Sequence, residues 1–82
     1  MTSPVAPVVY LVDLLSGRYC LEATAWVPPG GRLVIFVNDS AIAEERLTPS
    51  APSGVTIALR HIYQLNPKTD TVEARVIATP DP

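Results

Sequence analysis

Residues 18–40 read RYCLEATAWVPPGGRLVIFVNDS, and this stretch decides the fold. From Arg18 to Val27, Tyr19, Leu21, Ala23 and Ala25 fall on one face while Arg18, Glu22 and Thr24 fall on the other. A two-residue period with one dry and one wet side is the mark of a half-buried strand. Pro28-Pro29-Gly30-Gly31 stops it abruptly. Proline holds φ at about −65°, and a following glycine accepts the positive φ that a type II turn needs. Arg32 to Asn38 then resumes as a strand, in which Leu33, Ile35 and Val37 alternate with Val34 and Phe36. Both faces are apolar, so this strand is expected at the centre of a sheet. Asn38-Asp39-Ser40 reads as the next turn.

The same punctuation continues in both directions. Upstream, Val8 to Leu15 is rich in strand formers, and Ser16-Gly17 supplies a tight turn. Before it, residues 1–7 contain Pro4 and Pro7 and predict an extended arm, since a proline cannot donate to a ladder. Downstream, Ala41 to Leu47 suits a short helix about as well as an edge strand, and strand is favoured because seven residues are marginal for a helix. Thr48 to Gly54 is a loop. Val55 to Leu65 is the longest strand, with Val55, Ile57, Leu59, His61, Tyr63 and Leu65 on one face. After the Asn66–Asp70 loop, Val72 to Thr79 is expected to return antiparallel as the second arm of a closing hairpin, and Pro80-Asp81-Pro82 forms a tail. Strands at about ten-residue spacing with turn chemistry between them predict one all-β domain over residues 8–79. The expected form is a small antiparallel sandwich or partly open barrel of about six strands.

Composition narrows the function. The 82 residues carry a net charge of −2, and only 17 % are charged, against about 25 % in typical domains. Arg18, Arg32, Arg46, Arg60, Lys68 and Arg75 are scattered, so no phosphate-tracking surface and no nucleic-acid partner is expected. The lone cysteine, Cys20, excludes an internal disulfide framework. The best apolar run, Val8 to Leu15, is interrupted by Asp13 and is too short for membrane insertion. No signal peptide is visible. A soluble chain, cytoplasmic or associated with a virus particle, is the expectation.

From Tyr19 onward the layout resembles the immunoglobulin-like domains of many bacterial and phage proteins. The resemblance rests on residues 25–39, AWVPPGGRLVIFVND, and on Val55–Leu59 followed by Val72–Val76. The segment from Ala41 to Ser53 departs from that pattern, lacking a glycine-aromatic lead into a central strand. Such a resemblance implies an Ig-like sandwich and brings with it no catalytic residues.

No constellation of catalytic or metal-ligating residues stands out. His61 is the only histidine, and no Cys-x-x-Cys, His-x-x-x-His or Asp-rich loop accompanies it. Cys20 with His61 as base is conceivable as a nucleophile, but a small strand residue beside a core or rim histidine is the simpler reading. No enzyme activity, cofactor or small-molecule substrate is therefore expected. Trp26 is more suggestive. It is out of phase with Tyr19, Leu21, Ala23 and Ala25 and so points away from their face, and tryptophan is enriched where partners dock. Phe36 raises the same question, and Val5, Val8 and Val9 are the apolar groups of the arm and the strand it enters. Trp26, Phe36, Val5, Val8 and Val9 are the candidate partner-binding residues. Two functions fit: a structural or accessory subunit of a larger assembly or homo-oligomer, such as a virus-shell decoration protein, or a free-standing Ig-like binding module or inhibitor.

Overall fold

A computed structural model describes residues 7–78. Among them are six strands and no helix: β1 (Val9–Asp13), β2 (Arg18–Val27), β3 (Arg32–Val37), β4 (Ser40–Arg46), β5 (Val55–Gln64) and β6 (Val72–Ile77). They form two three-stranded sheets, which we call A, ordered β1-β2-β5, and B, ordered β4-β3-β6. Every pairing is antiparallel. The two sheets are packed face to face and do not close into a barrel. The segment expected from Ala41 to Leu47 is thus a strand, running Ser40–Arg46, and β3, apolar on both faces, is central as expected.

The expected closing hairpin is not formed. β5 pairs with β2 and β6 pairs with β3, so residues 65–71 cross from one sheet to the other. Strand length gives the physical reason. β2 and β5 are both ten residues long and pair over their whole length, from Arg18–Gln64 to Val27–Val55. β3 and β6 are both six residues long and match in the same way. Beside β3, all six residues of β6 find ladder partners and Ala74 enters the core.

Local chemistry sets each turn. Gly31 N–H donates to the Pro28 carbonyl at 2.9 Å, with Gly30 at φ 82°; proline in front of a left-handed glycine makes this a type II turn. It carries the chain from sheet A to sheet B. Asn38 and Asp39 have φ of 51° and 67° between the paired residues Val37 and Ser40, the two-residue type I′ loop that follows the twist of a hairpin. The β1–β2 connection is tighter still. Leu15, Ser16 and Gly17 all have positive φ, and the Asp13 carboxylate accepts the Leu15 N–H at 2.8 Å. That arrangement ends β1 at Asp13, two residues before the apolar run itself ends.

The core lies between the sheets. Leu21, Ala23 and Val27 of β2, with Leu59 and Leu65, face Leu33, Ile35 and Val37 of β3 and Ala74 of β6. Leu21, Leu33, Ile35 and Val27 are the largest fully buried side chains. A register irregularity between Ile35 and Phe36 gives β4 one extra residue, and both Ile42 and Ala43 pack on the core as a result.

Candidate interaction surface

The two sheets finish their outer faces in opposite ways. On sheet B the outward residues of β3 are Arg32, Val34 and Phe36, and their β6 partners are Ile77, Arg75 and Glu73. The Arg75 guanidinium lies 4.8 Å from the centre of the Phe36 ring and donates to both carboxylate oxygens of Glu73 at 2.9 and 2.8 Å. On the other side of β3, Arg32 meets Glu44 at 3.7 Å. Val34, paired with Glu44 on one side and Arg75 on the other, is only 2 % exposed. Phe36 is half-buried beneath Arg75, so this candidate is already occupied by its own chain. The Arg75 contact also holds the Glu73 carboxyl below the usual carboxylate range.

Among the described residues, nothing covers the outer face of sheet A. Its outward rows read Val12–Cys20–Ile62, Tyr10–Glu22–Arg60, Thr24–Ala58 and Trp26–Thr56 across the strands. The first row is apolar over all three strands. Trp26 is 60 % exposed, and Ile62 59 %. The exposed large apolar side chains among the described residues are Val8, Tyr10, Leu11, Val12, Leu15, Trp26, Val55 and Ile62. All of them belong to the strands of sheet A or to the residues flanking β1, and β3, β4 and β6 contribute none.

Trp26 points outward, as its phase along β2 predicts. Its indole lies against Gly54, where an added Cβ would overlap Cζ2 and Cε2 of the ring. The ring is therefore anchored along one edge and open on its remaining surface. Val8 is exposed, whereas Val9 is half-buried and packs on the core. Val5 lies outside the described residues.

The structure separates Cys20 from His61. Cys20 pairs with Ile62 and lies on the outward face, with its Sγ 3.9 Å from the Glu22 carboxylate. His61 pairs with Leu21 on the inward face and sits 6.3 Å from the Tyr63 ring centre. Adjacent positions on paired strands point to opposite sides of the sheet, so these two side chains do not form a nucleophile–base pair. Among the described residues no three His, Cys, Asp or Glu side chains come together as metal ligands would.

One polar feature is not visible as a sequence motif. The Asn38 amide donates to the Asp70 carboxylate at 3.0 Å, and its carbonyl accepts the Thr71 N–H at 3.0 Å. Asp70 also accepts the Asn66 N–H at 2.9 Å. These bonds tie the β3–β4 turn to the β5–β6 crossing. Both bonds to Asp70 favour its charged form and hold its pKa below the usual carboxylate range, the Asn38 bond most strongly.

No family model, no curated protein and no solved structure matches this chain.

Proposed function

We propose that the chain is a non-enzymatic structural or accessory subunit that works through protein–protein contacts made by sheet A. The observation that carries this reading is the asymmetry of the two outer faces. Sheet B caps its apolar residues with Arg75, Glu73, Arg32 and Glu44, while sheet A exposes an apolar row over three strands and a largely open tryptophan. A small domain that can cover one face with its own charged side chains and leaves the other bare has a surface suited to a partner. Tryptophan anchored along one edge is the kind of group that dominates binding energy.

The test is isolation under mild conditions from cells that make the protein, with identification and stoichiometry of whatever accompanies it. The expected result is a stable assembly that Trp26→Ala weakens by about 2 kcal/mol or more, roughly thirty-fold in affinity, without unfolding the subunit. A protein that remains without partners under all such conditions would overturn the proposal.

A second reading, an Ig-like binding module or inhibitor, has an observation of its own. The Asn38–Asp39 turn and the Asn66–Asp70 loop are fastened together by side-chain hydrogen bonds, which gives a pre-ordered loop surface at one end, and pre-ordering favours affinity. On this reading Asn38→Ala should weaken binding and Trp26→Ala should not.

A further inference from the structure

Each sheet ends in two edge strands, and three of the four carry recognised protection against pairing with another chain. β4 has its extra residue and the run Glu44-Glu45-Arg46; β6 has Glu73 and Arg75; β5 has Arg60 near its middle. Irregularities and charges of this kind block edge-to-edge association. β1 reads Val-Tyr-Leu-Val-Asp, with its one charge at the last position. No described strand pairs with its outer side.

The backbone hydrogen bonds show what that free side offers. Leu14 N–H donates to the Arg18 carbonyl at 2.9 Å, and in the register of β1 on β2 this makes Leu14–Arg18 a hydrogen-bonded pair. Such pairs recur at every second residue of an antiparallel ladder. Tyr10 and Val12 therefore turn their N–H and C=O groups toward β2, while Val9, Leu11 and Asp13 turn theirs away. The opposite side of β2 agrees: Leu65 N–H donates to the Gly17 carbonyl at 2.9 Å, which assigns the odd-numbered residues of β2 to β5.

We infer that β1 pairs with β1 of a second copy of this chain, antiparallel and centred on Leu11, joining two A sheets into one of six strands. This rests on the proposal above that sheet A makes the protein contacts; it assigns the one along the β1 edge to a second copy and leaves Trp26 to a separate contact. A two-fold axis at Leu11 sets Leu11 opposite Leu11 of the second copy and Val9 opposite Asp13. All the outward-turned backbone groups of both strands then bond to one another, whereas a shift by two residues in either direction leaves some unpaired. On the outward face the same register sets Tyr10 opposite Val12, an aromatic–β-branched pair of the kind that stabilises sheets. Charge permits it, because the two Asp13 side chains would lie roughly 13 Å apart, beyond the screening length of about 8–10 Å at ordinary salt. It also accounts for most of the exposed apolar groups. Val8, Tyr10, Leu11, Val12 and Leu15 are 55, 67, 40, 43 and 76 % exposed, and the register brings Val8 beside Leu14 of the second copy. Covering these five side chains would remove at most roughly 500 Å² per copy, about 1,000 Å² in all, at the lower limit for a specific interface. The dimer is therefore weak and concentration-dependent.

Sedimentation of the intact chain from about 10 µM to 1 mM tests this, with a dissociation constant expected in the micromolar-to-millimolar range. Leu11→Lys puts a charge at the centre of the edge and should weaken dimerisation at least ten-fold. A wild-type chain that stays monomeric at about 1 mM overturns the inference, as does a dimer unaffected by Leu11→Lys. If Leu11→Lys fails to fold, amide exchange on the wild type decides. The Leu11 and Asp13 amides should gain protection as concentration rises while those of Tyr10 and Val12 are protected throughout; concentration-independent exchange overturns the inference. A monomer that still forms a stoichiometric complex with another protein through Trp26 would sink the second-copy partner and keep the subunit reading. A chain with neither would sink both.

Discussion

Asn38 joins two parts of the chain more than thirty residues apart, and its role shows what a single polar side chain contributes here. It sits at positive φ in a two-residue turn, which asparagine tolerates better than most residues. From there its amide group reaches Asp70 and Thr71. The turn itself was legible, because Asn-Asp between two apolar runs has few other readings. The reach to Asp70 was not, since no local pattern encodes a contact over such a separation. Leu15, at φ 76° and 76 % exposed, was equally hidden: a leucine gives no sign that its neighbours will force it into a left-handed conformation that costs about 1–2 kcal/mol. The Asp70 bonds lead to a pH prediction. A carboxyl whose folded pKa is depressed contributes stability above its unfolded pKa and loses it as pH falls through the folded value. Asp70→Asn should therefore lower the melting temperature at neutral pH, and the gap from wild type should close as pH falls below the ordinary carboxyl value of 3.8. A gap that stays constant over that range would mean the carboxylate charge is not what stabilises the clasp.

Element boundaries were visible in the sequence because turn residues mark them, and β2, β3, β4 and β5 each lie within one residue of the expected limits at either end. Partner choice was not. Alternation states which side of a strand is dry and leaves open which strand lies next to it, so the hairpin that chain order suggests between β5 and the final strand gives way to a place beside β3. The outward direction of Trp26 follows from the same alternation and was legible. Its seat was not, because the residue beneath it, Gly54, reads only as loop. That contact couples the end of β2 to the start of β5. An added Cβ at Gly54 would overlap the indole and lie 2.7 Å from the Val27 carbonyl oxygen. The exposed ring can swing aside, but the carbonyl is part of the β2 backbone. Gly54→Ala is thus expected to destabilise by about 1–3 kcal/mol. Trp26→Ala alone should cost less than about 1 kcal/mol, since the ring is more exposed than buried. Combining the two should recover only part of the Gly54→Ala loss. Thermal melts of the two single variants and the double variant check this. Full recovery would show that the ring, and not the backbone, is what excludes a side chain at position 54.

At the scale of the whole molecule the question is whether the two sheets are separable. Each has three strands and one dry face, and among the described residues that face is covered by the other sheet, with Leu21 and Val27 on one side and Leu33 and Ile35 on the other. A three-stranded sheet stripped of its cover exposes all of its inward side chains, and each such Leu, Ile or Val then forfeits about 1.5–3 kcal/mol of burial. Total stability for a chain of this length is roughly 4–12 kcal/mol, so losing cover from three or four of these groups removes most of it. Neither sheet should persist without the other, and unfolding should be a single transition. Ile35→Ala provides the sharpest test. The lost side chain is fully buried on β3, at the centre of sheet B, and its removal should cost about 2–5 kcal/mol. If the sandwich is one cooperative unit, the slowest-exchanging amides of β2, in the other sheet, should lose protection by the same free energy as those of β3. A variant in which β3 amides exchange faster while β2 amides keep wild-type protection would show that sheet A holds together on its own. The apolar contact between sheets would then no longer explain why these six strands form one domain.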